Sequence, residues 1–111
     1  MIEAIIRNFL LNVVDVPVYV TVPAEPADSY VVVERTGGGV DEHIRRATIA
    51  VQSYGVNREQ AATLHETILA ELPAIADGDK VSACYVNAEY SYTDEATKKY
   101  RYQSVFDITY Y

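Results

Sequence analysis

Residues 29–54 read SYVVVERTGGGVDEHIRRATIAVQSY, and the fold turns on how this stretch divides. Ser29-Tyr30-Val31-Val32-Val33-Glu34-Arg35-Thr36 has the β-branched and aromatic content of a strand, and three valines in a row imply that both faces are partly covered. Gly37-Gly38-Gly39 interrupts it, and residues 43–54 resume the pattern. Ala47, Ile49 and Val51 then share one face, with Arg46, Thr48 and Gln52 on the other. The spacing predicts a long β-hairpin whose tip is the glycine run. Such a tip is expected to be mobile, because glycine loses the most backbone freedom on ordering.

Upstream, Ile2, Ile5, Ile6, Phe9, Leu10 and Val13 fall at helical spacing and build one apolar stripe, so residues 2–14 are predicted helical up to Asp15-Val16-Pro17. Val18-Tyr19-Val20-Thr21-Val22 alternates as a strand, and the loop over 23–28 contains two prolines that cannot donate to a ladder. Downstream, Asn57 is placed to cap a second helix, with Gln60 at the return position of a capping box. Ala61, Leu64, Ile68, Leu69 and Leu72 form that helix's buried stripe, Pro73 stops it, and Asp77-Gly78-Asp79 turns the chain. Two strands follow. In 81–92, Cys84, Val86, Ala88, Tyr90 and Tyr92 are expected on one face. In 100–110, Tyr100, Tyr102, Phe106, Ile108 and Tyr110 share a face opposite Arg101, Gln103, Asp107 and Thr109. A charged hairpin tip, Thr93 to Lys99, joins them. The order α-β-β-β-α-β-β predicts one α+β domain over 1–111, a single mostly antiparallel sheet of about five strands with two amphipathic helices on one face.

The 111 residues hold 9 Lys+Arg and 16 Asp+Glu, a net charge of −7, with half the chain hydrophobic. This is a globular composition. The charge disfavours general nucleic-acid binding, which relies on neutralising phosphates. No apolar run exceeds four residues, far short of the roughly 20 needed to cross a bilayer. Glu3 stands where a secretory leader needs positive charge, and the lone Cys84 cannot form an intrachain disulfide, so a reducing cytoplasm is expected. Ten tyrosines, seven of them from Tyr85 to Tyr111, fit a sheet face that is half dry and half wet, or an interface.

No reactive constellation emerges. A phosphate loop needs a lysine and a following helix, but Gly37–Gly39 leads to Val40-Asp41-Glu42 and a strand. His65-Glu66 lacks the second histidine of a zinc-protease helix, since position 69 is Leu, and His65 is expected at the edge of the stripe, partly covered. Asp41-Glu42-His43, in an extended segment, would point alternately apart rather than converge on a metal. Cys84 reads as a buried, inert thiol. The acid pairs Glu25/Asp28, Asp41/Glu42, Asp77/Asp79 and Asp94/Glu95 all fall in loops or tips. Arg45-Arg46 is expected to pair with acids of a neighbouring strand such as Glu34, or else to meet an acidic partner. No catalysis, cofactor or metal is expected.

The element order, with Tyr30-Val31-Val32-Val33-Glu34, the Gly37–Gly39 hairpin, Ile49-Ala50-Val51-Gln52-Ser53-Tyr54-Gly55, Asn57-Arg58-Glu59-Gln60-Ala61-Ala62 and the closing Arg101-Tyr102-Gln103-Ser104-Val105-Phe106-Asp107-Ile108, resembles the tail terminator (tail-completion, tail-to-head joining) proteins of long-tailed phages and prophages. That resemblance spans nearly the whole chain through order and local flavour rather than one motif. It implies a non-catalytic structural subunit that forms a ring, commonly a hexamer, on the tail tube. The ring stops tube polymerisation and joins the neck or head-completion protein, while DNA passes through as cargo without specific binding. It implies assembly in the host bacterial cytoplasm and then residence in the virion, with no membrane partner. From their expected projection, Thr36, Gly37, Gly38, Gly39, Val40, Glu42, Arg45 and Arg46, together with Thr93, Asp94, Glu95, Lys98 and Lys99, are the candidate contact residues. The alternative is a small dimeric α+β ligand-binding or regulatory domain with its pocket between helices and sheet.

Overall fold

In a computed structural model, which describes residues 1–93, 96–97 and 99–111, the N-terminal stripe forms helix α1 (Ile2–Leu10) and buries Ile2, Ile6 and Leu10. The helix stops short of the predicted residue 14. The Val13 and Val14 N–H groups both reach the Leu10 carbonyl (2.9 and 3.0 Å), which tightens the chain into a turn and lets Val14 and Val16 pack against the core. Strand β1 is only Val18–Tyr19, not 18–22. The Ala27 N–H donates to the Tyr19 hydroxyl (3.3 Å), drawing the proline-containing loop back toward β1. Arg7 Nε donates to the Val18 carbonyl (2.8 Å) and ties α1 to this strand.

Strands β2 (Tyr30–Asp41) and β3 (Ile44–Gly55) form the expected hairpin, but its tip is not the glycine run. Gly37, Gly38 and Gly39 lie inside β2, opposite Thr48, Ala47 and Arg46. A bulge at Thr36 shifts the register, and the chain reverses at Glu42-His43, whose φ angles are +48° and +72°. A two-residue loop with both φ positive matches the twist of the flanking strands, so strand pairing overrides the preference of Glu and His for negative φ. Gly38 is required locally. Its φ is +149°, and a Cβ there would run into the Arg46 carbonyl and the Arg35 guanidinium.

Helix α2 (Arg58–Glu71) starts as predicted, with Asn57 Oδ1 accepting from the Gln60 N–H (2.8 Å). The Gln60 side chain accepts instead from the Val56 N–H (3.0 Å) and the Ser29 hydroxyl (2.7 Å), linking the helix start to β2. Pro73 ends α2 by carrying the chain into a 3₁₀ segment, Leu72–Asp77, which buries Leu72 and Ile75. Strands β4 (Val81–Ser91) and β5 (Tyr100–Tyr110) complete the sheet, in spatial order β1-β2-β3-β5-β4. Every pairing among the described residues is antiparallel except β1 with β2, so the α+β sheet is mixed. The crossover through α2 joins β3 to β4, and β5 later inserts between them.

One face of the sheet carries Val31, Val33, Ala47, Ile49, Val51, Phe106 and Ile108, and these pack with α1, α2 and the 3₁₀ segment into one core. Strand β4 departs from simple alternation. Bulges at Ser82 and Asn87 each insert a residue, so Cys84 and Glu89 face the helices while Ala88 and Tyr90 do not. Of the residues expected to share a face with Cys84, Val86 does so, whereas Ala88, Tyr90 and Tyr92 lie on the other side; Val86, Tyr90 and Tyr92 are exposed. Among the described residues no helix is long and apolar enough to cross a membrane.

Candidate functional site

The second face of the sheet has no described helix over it, and here the tyrosines gather. Tyr19 on β1 tilts against Tyr30 on β2 at 5.5 Å between ring centroids, and Tyr30 stacks on Tyr54 of β3 at 4.5 Å. Arg101 of β5 comes next, its guanidinium 5.8 Å from the Tyr54 ring and 4.1 Å from that of Tyr92, which meets Tyr90 edge-on at 6.2 Å. Alternation places these groups on one side, and cross-strand register aligns them into a ridge across the sheet. Each aromatic pair adds about 0.5–1.5 kcal/mol beyond simple burial.

Hydrogen bonds fix the ridge. Arg101 Nε donates to the Tyr92 carbonyl (2.7 Å) and Nη1 to the Tyr54 hydroxyl (3.3 Å). That hydroxyl donates to Gln52 Oε1 (3.3 Å), Gln52 Nε2 to Gln103 Oε1 (2.9 Å), and Gln103 Nε2 to the Tyr90 hydroxyl. Burial pushes the Tyr30 phenol above its ordinary pKa; Tyr54 adds to this and Arg101 opposes it. Toward the hairpin tip the face drops to a low floor. Arg46, Thr48, Asp107 and Thr109 line a hollow of about 440 Å³ there. Tyrosine and arginine are the side chains that most often anchor protein interfaces, and here they are held in place rather than free to reorganise.

The nominated residues fall into two groups that the fold keeps apart. Thr36, Gly37, Gly38, Gly39, Val40, Glu42, Arg45 and Arg46 are all exposed and form the hairpin end of β2 and β3, an arm whose β3 side stays paired with β5 as far as Arg45. The Thr36 hydroxyl donates to the Thr48 carbonyl (3.3 Å) at the bulge. Arg45 and Arg46 oppose Val40 and Gly39, whereas Glu34 lies farther along opposite Ala50, so the expected pairing with Glu34 is not made. Thr93 and Lys99 are at the opposite end of the strands, on a molecule 45 Å long. Thr93 folds inward, its Oγ1 3.3 Å from the Arg101 carbonyl, while Lys99 is exposed. Asp94, Glu95 and Lys98 lie outside the described residues.

His65 is buried rather than partly covered, at 2% exposure. It stacks on Tyr102 at 5.1 Å, and its Nε2 is 3.1 Å from Glu89 Oε1. The Asn87 bulge makes this contact by turning Glu89 toward α2, a change of face that alternation cannot foretell. Cys84 is buried as expected, and burial pushes its thiol up to about 12. Among the described residues no group of three or more His, Cys, Asp or Glu side chains is placed to hold a metal ion. A hollow of about 240 Å³ between α1 and the 3₁₀ segment has an apolar floor (Ile5, Phe9, Ile75) and a rim of Asn8, Asp79 and Lys80. Neither His65 nor Cys84 lines either hollow.

The fold defines a small α+β protein with one covered and one open sheet face. A tyrosine–arginine ridge and the exposed outer edge of β2 from Glu34 to Val40 are its distinctive surfaces. No family model matches the chain, and no curated protein matches it.

Proposed function

We propose that this protein is a structural assembly subunit of the tail-terminator kind: copies close into a ring, a hexamer on the resemblance, at the head-proximal end of a phage tail tube. The ring stops tube polymerisation and joins the neck or head-completion protein, with DNA only passing through. Assembly takes place in the host bacterial cytoplasm, and the protein then stays in the virion.

The observation that supports this reading is the state of the sheet's two edges. Strand β1 pairs only with Val31 and Val32, so β2 beyond Val32 has no strand partner on its outer side among the described residues. Strand β4 is the other edge strand and, among the same residues, is likewise unpaired on its outer side. An unpaired edge is a template for a further strand. Two different edges on one subunit make a head-to-tail contact, which closes into a ring when the rotation per copy allows.

The test is electron microscopy of the purified protein mixed with tail tubes, alongside native mass spectrometry. Capped tubes of uniform length and a ring-sized species are expected; a monomer that leaves tube growth unchanged overturns the reading. Excising Gly39–Arg46 and closing the gap with Asn-Gly removes none of the core residues. It is expected to keep the circular dichroism spectrum and to shift stability by no more than about 1 kcal/mol, as surface changes usually do, while abolishing the ring.

A further inference from the structure

We propose that the outer edge of β2 from Arg35 to Val40 pairs antiparallel with the outer edge of β4 of a second copy, Gly39 lying against Tyr85 and Arg35 against Glu89, so that one sheet runs through successive copies. This rests on the self-assembly reading above and specifies its contact.

Direction comes from the topology. β2, β3, β5 and β4 alternate in direction across the sheet, so β4 runs opposite to β2. Two copies placed side by side in the same orientation therefore bring β4 of one against β2 of the next in the antiparallel sense. Neither segment contains a lysine or proline to repel an added strand, and β4 carries one charged residue, Glu89.

Charge complementarity selects the register. Arg35 opposes Ile49 and Glu89 opposes Ser104, so both lie on the helix side of their strands and meet on one side of a joined sheet; Arg35 Nε and Nη2 donate to the Gly37 and Arg46 carbonyls (3.1 and 3.4 Å), which leaves Nη1 to face Glu89. Glu89 touches His65 through one oxygen, yet its side chain is 53% exposed. Residues 34–46 contain three acids (Glu34, Asp41, Glu42) and three arginines (Arg35, Arg45, Arg46), which sum to zero, so the net −7 belongs to the rest of the chain. The arm and the β4 edge, whose residues 80–93 hold one lysine and one glutamate, therefore meet without net like-charge repulsion.

Shape agrees. The Thr36 bulge in β2 and the Asn87 bulge in β4 fall near one another in this register. Gly37 then meets Ala88 on the open face, Gly38 meets Val86 on the helix face, and Gly39 meets Tyr85 on the open face. Tyr85 is 69% exposed and Val86 42% in the single copy. In the pair Tyr85 rests beside Gly39, where an added Cβ meets nothing within 4 Å, leaving room for its ring, while Val86 meets the stem of the Arg35 guanidinium that lies over Gly38.

Disulfide trapping tests the contact. Gly39→Cys and Tyr85→Cys proteins are mixed in equal amounts and oxidised, after circular dichroism has shown that both fold. Native Cys84 is buried and stays out of the reaction. Opposed cysteines on antiparallel strands lie within bridging distance. A mixed dimer, one copy of each variant joined through the two introduced thiols, is expected to dominate. Arg35→Glu in the first protein, or Glu89→Arg in the second, is expected to lower its yield about two- to fivefold, the range of an exposed ion pair, and the two together to restore it. In the unmodified protein, amide exchange over 35–40 and 83–90 is expected to slow as concentration rises. Homodimers alone, no disulfide, or exchange independent of concentration overturns the proposal. Rings on tail tubes without the mixed disulfide remove this contact but leave the tail reading standing. A mixed disulfide in a protein that ignores tail tubes keeps the contact and removes the tail reading.

Discussion

Strand β2 is two different objects along its length. Val31 and Val33 are fully buried against the helices, while every residue from Glu34 to Val40 is exposed. Both halves keep the β3 ladder, so backbone hydrogen bonding does not distinguish them. What differs is whether a hydrophobic layer stands behind the strand. The first half is held by the packed core; the second has a strand partner on one side only, β3, which is itself held in the sheet by β5 through Arg45 to Ile49. The body stores the stability, and the arm is left available for a partner.

The largest expected effect lies in the body. Phe106→Ala empties a fully buried site on the helix-facing side of β5, and a loss of about 3–5 kcal/mol is expected in urea unfolding. A loss below about 1 kcal/mol would mean that the core does not carry the fold. Gly38→Ala forces a β-carbon into the Arg46 carbonyl at a φ that disfavours side chains. It is expected to raise amide exchange across the arm by an amount equivalent to about 1–3 kcal/mol, with the body's midpoint nearly unmoved. If the midpoint falls as far as in Phe106→Ala, arm and body unfold as one unit and the contrast is broken.

Smaller effects sharpen it. Asn57→Ala removes the α2 cap and is expected to cost about 1 kcal/mol in the same unfolding experiment, because α2 belongs to the body. Replacing Glu42-His43 by Asn-Gly supplies residues that accept positive φ and is expected to stabilise the hairpin by up to about 1 kcal/mol. Slower amide exchange confined to the arm is the readout, and an unchanged rate would mean that the tip is not strained.

Both helix stripes, the Asn57 cap, the five strands and the inward faces of β3 and β5 were legible in the chain. These depend on periodicity and local hydrogen bonding, which neighbouring residues determine among themselves. The candidate contact surface was legible only in part. The tyrosine excess signalled a half-wet sheet face, but its ridge is assembled from Tyr30, Tyr54, Arg101 and Tyr92, residues from different parts of the chain whose neighbourhood depends on a strand order that cannot be read from it.

By itself the sequence determined the α+β class, the element order and the buried stripes, since amphipathic periods admit few other ways to hide their apolar sides. Tertiary structure decided the rest. Pairing with β3 carried the three glycines into a strand and moved the turn to Glu42-His43; the Asn87 bulge in β4 turned Glu89 onto His65 and put Ala88 and Tyr90 on the other face. The physical reason is that register belongs to pairs of strands: one inserted residue reverses which side every later side chain faces, and only the partner strand reveals the insertion.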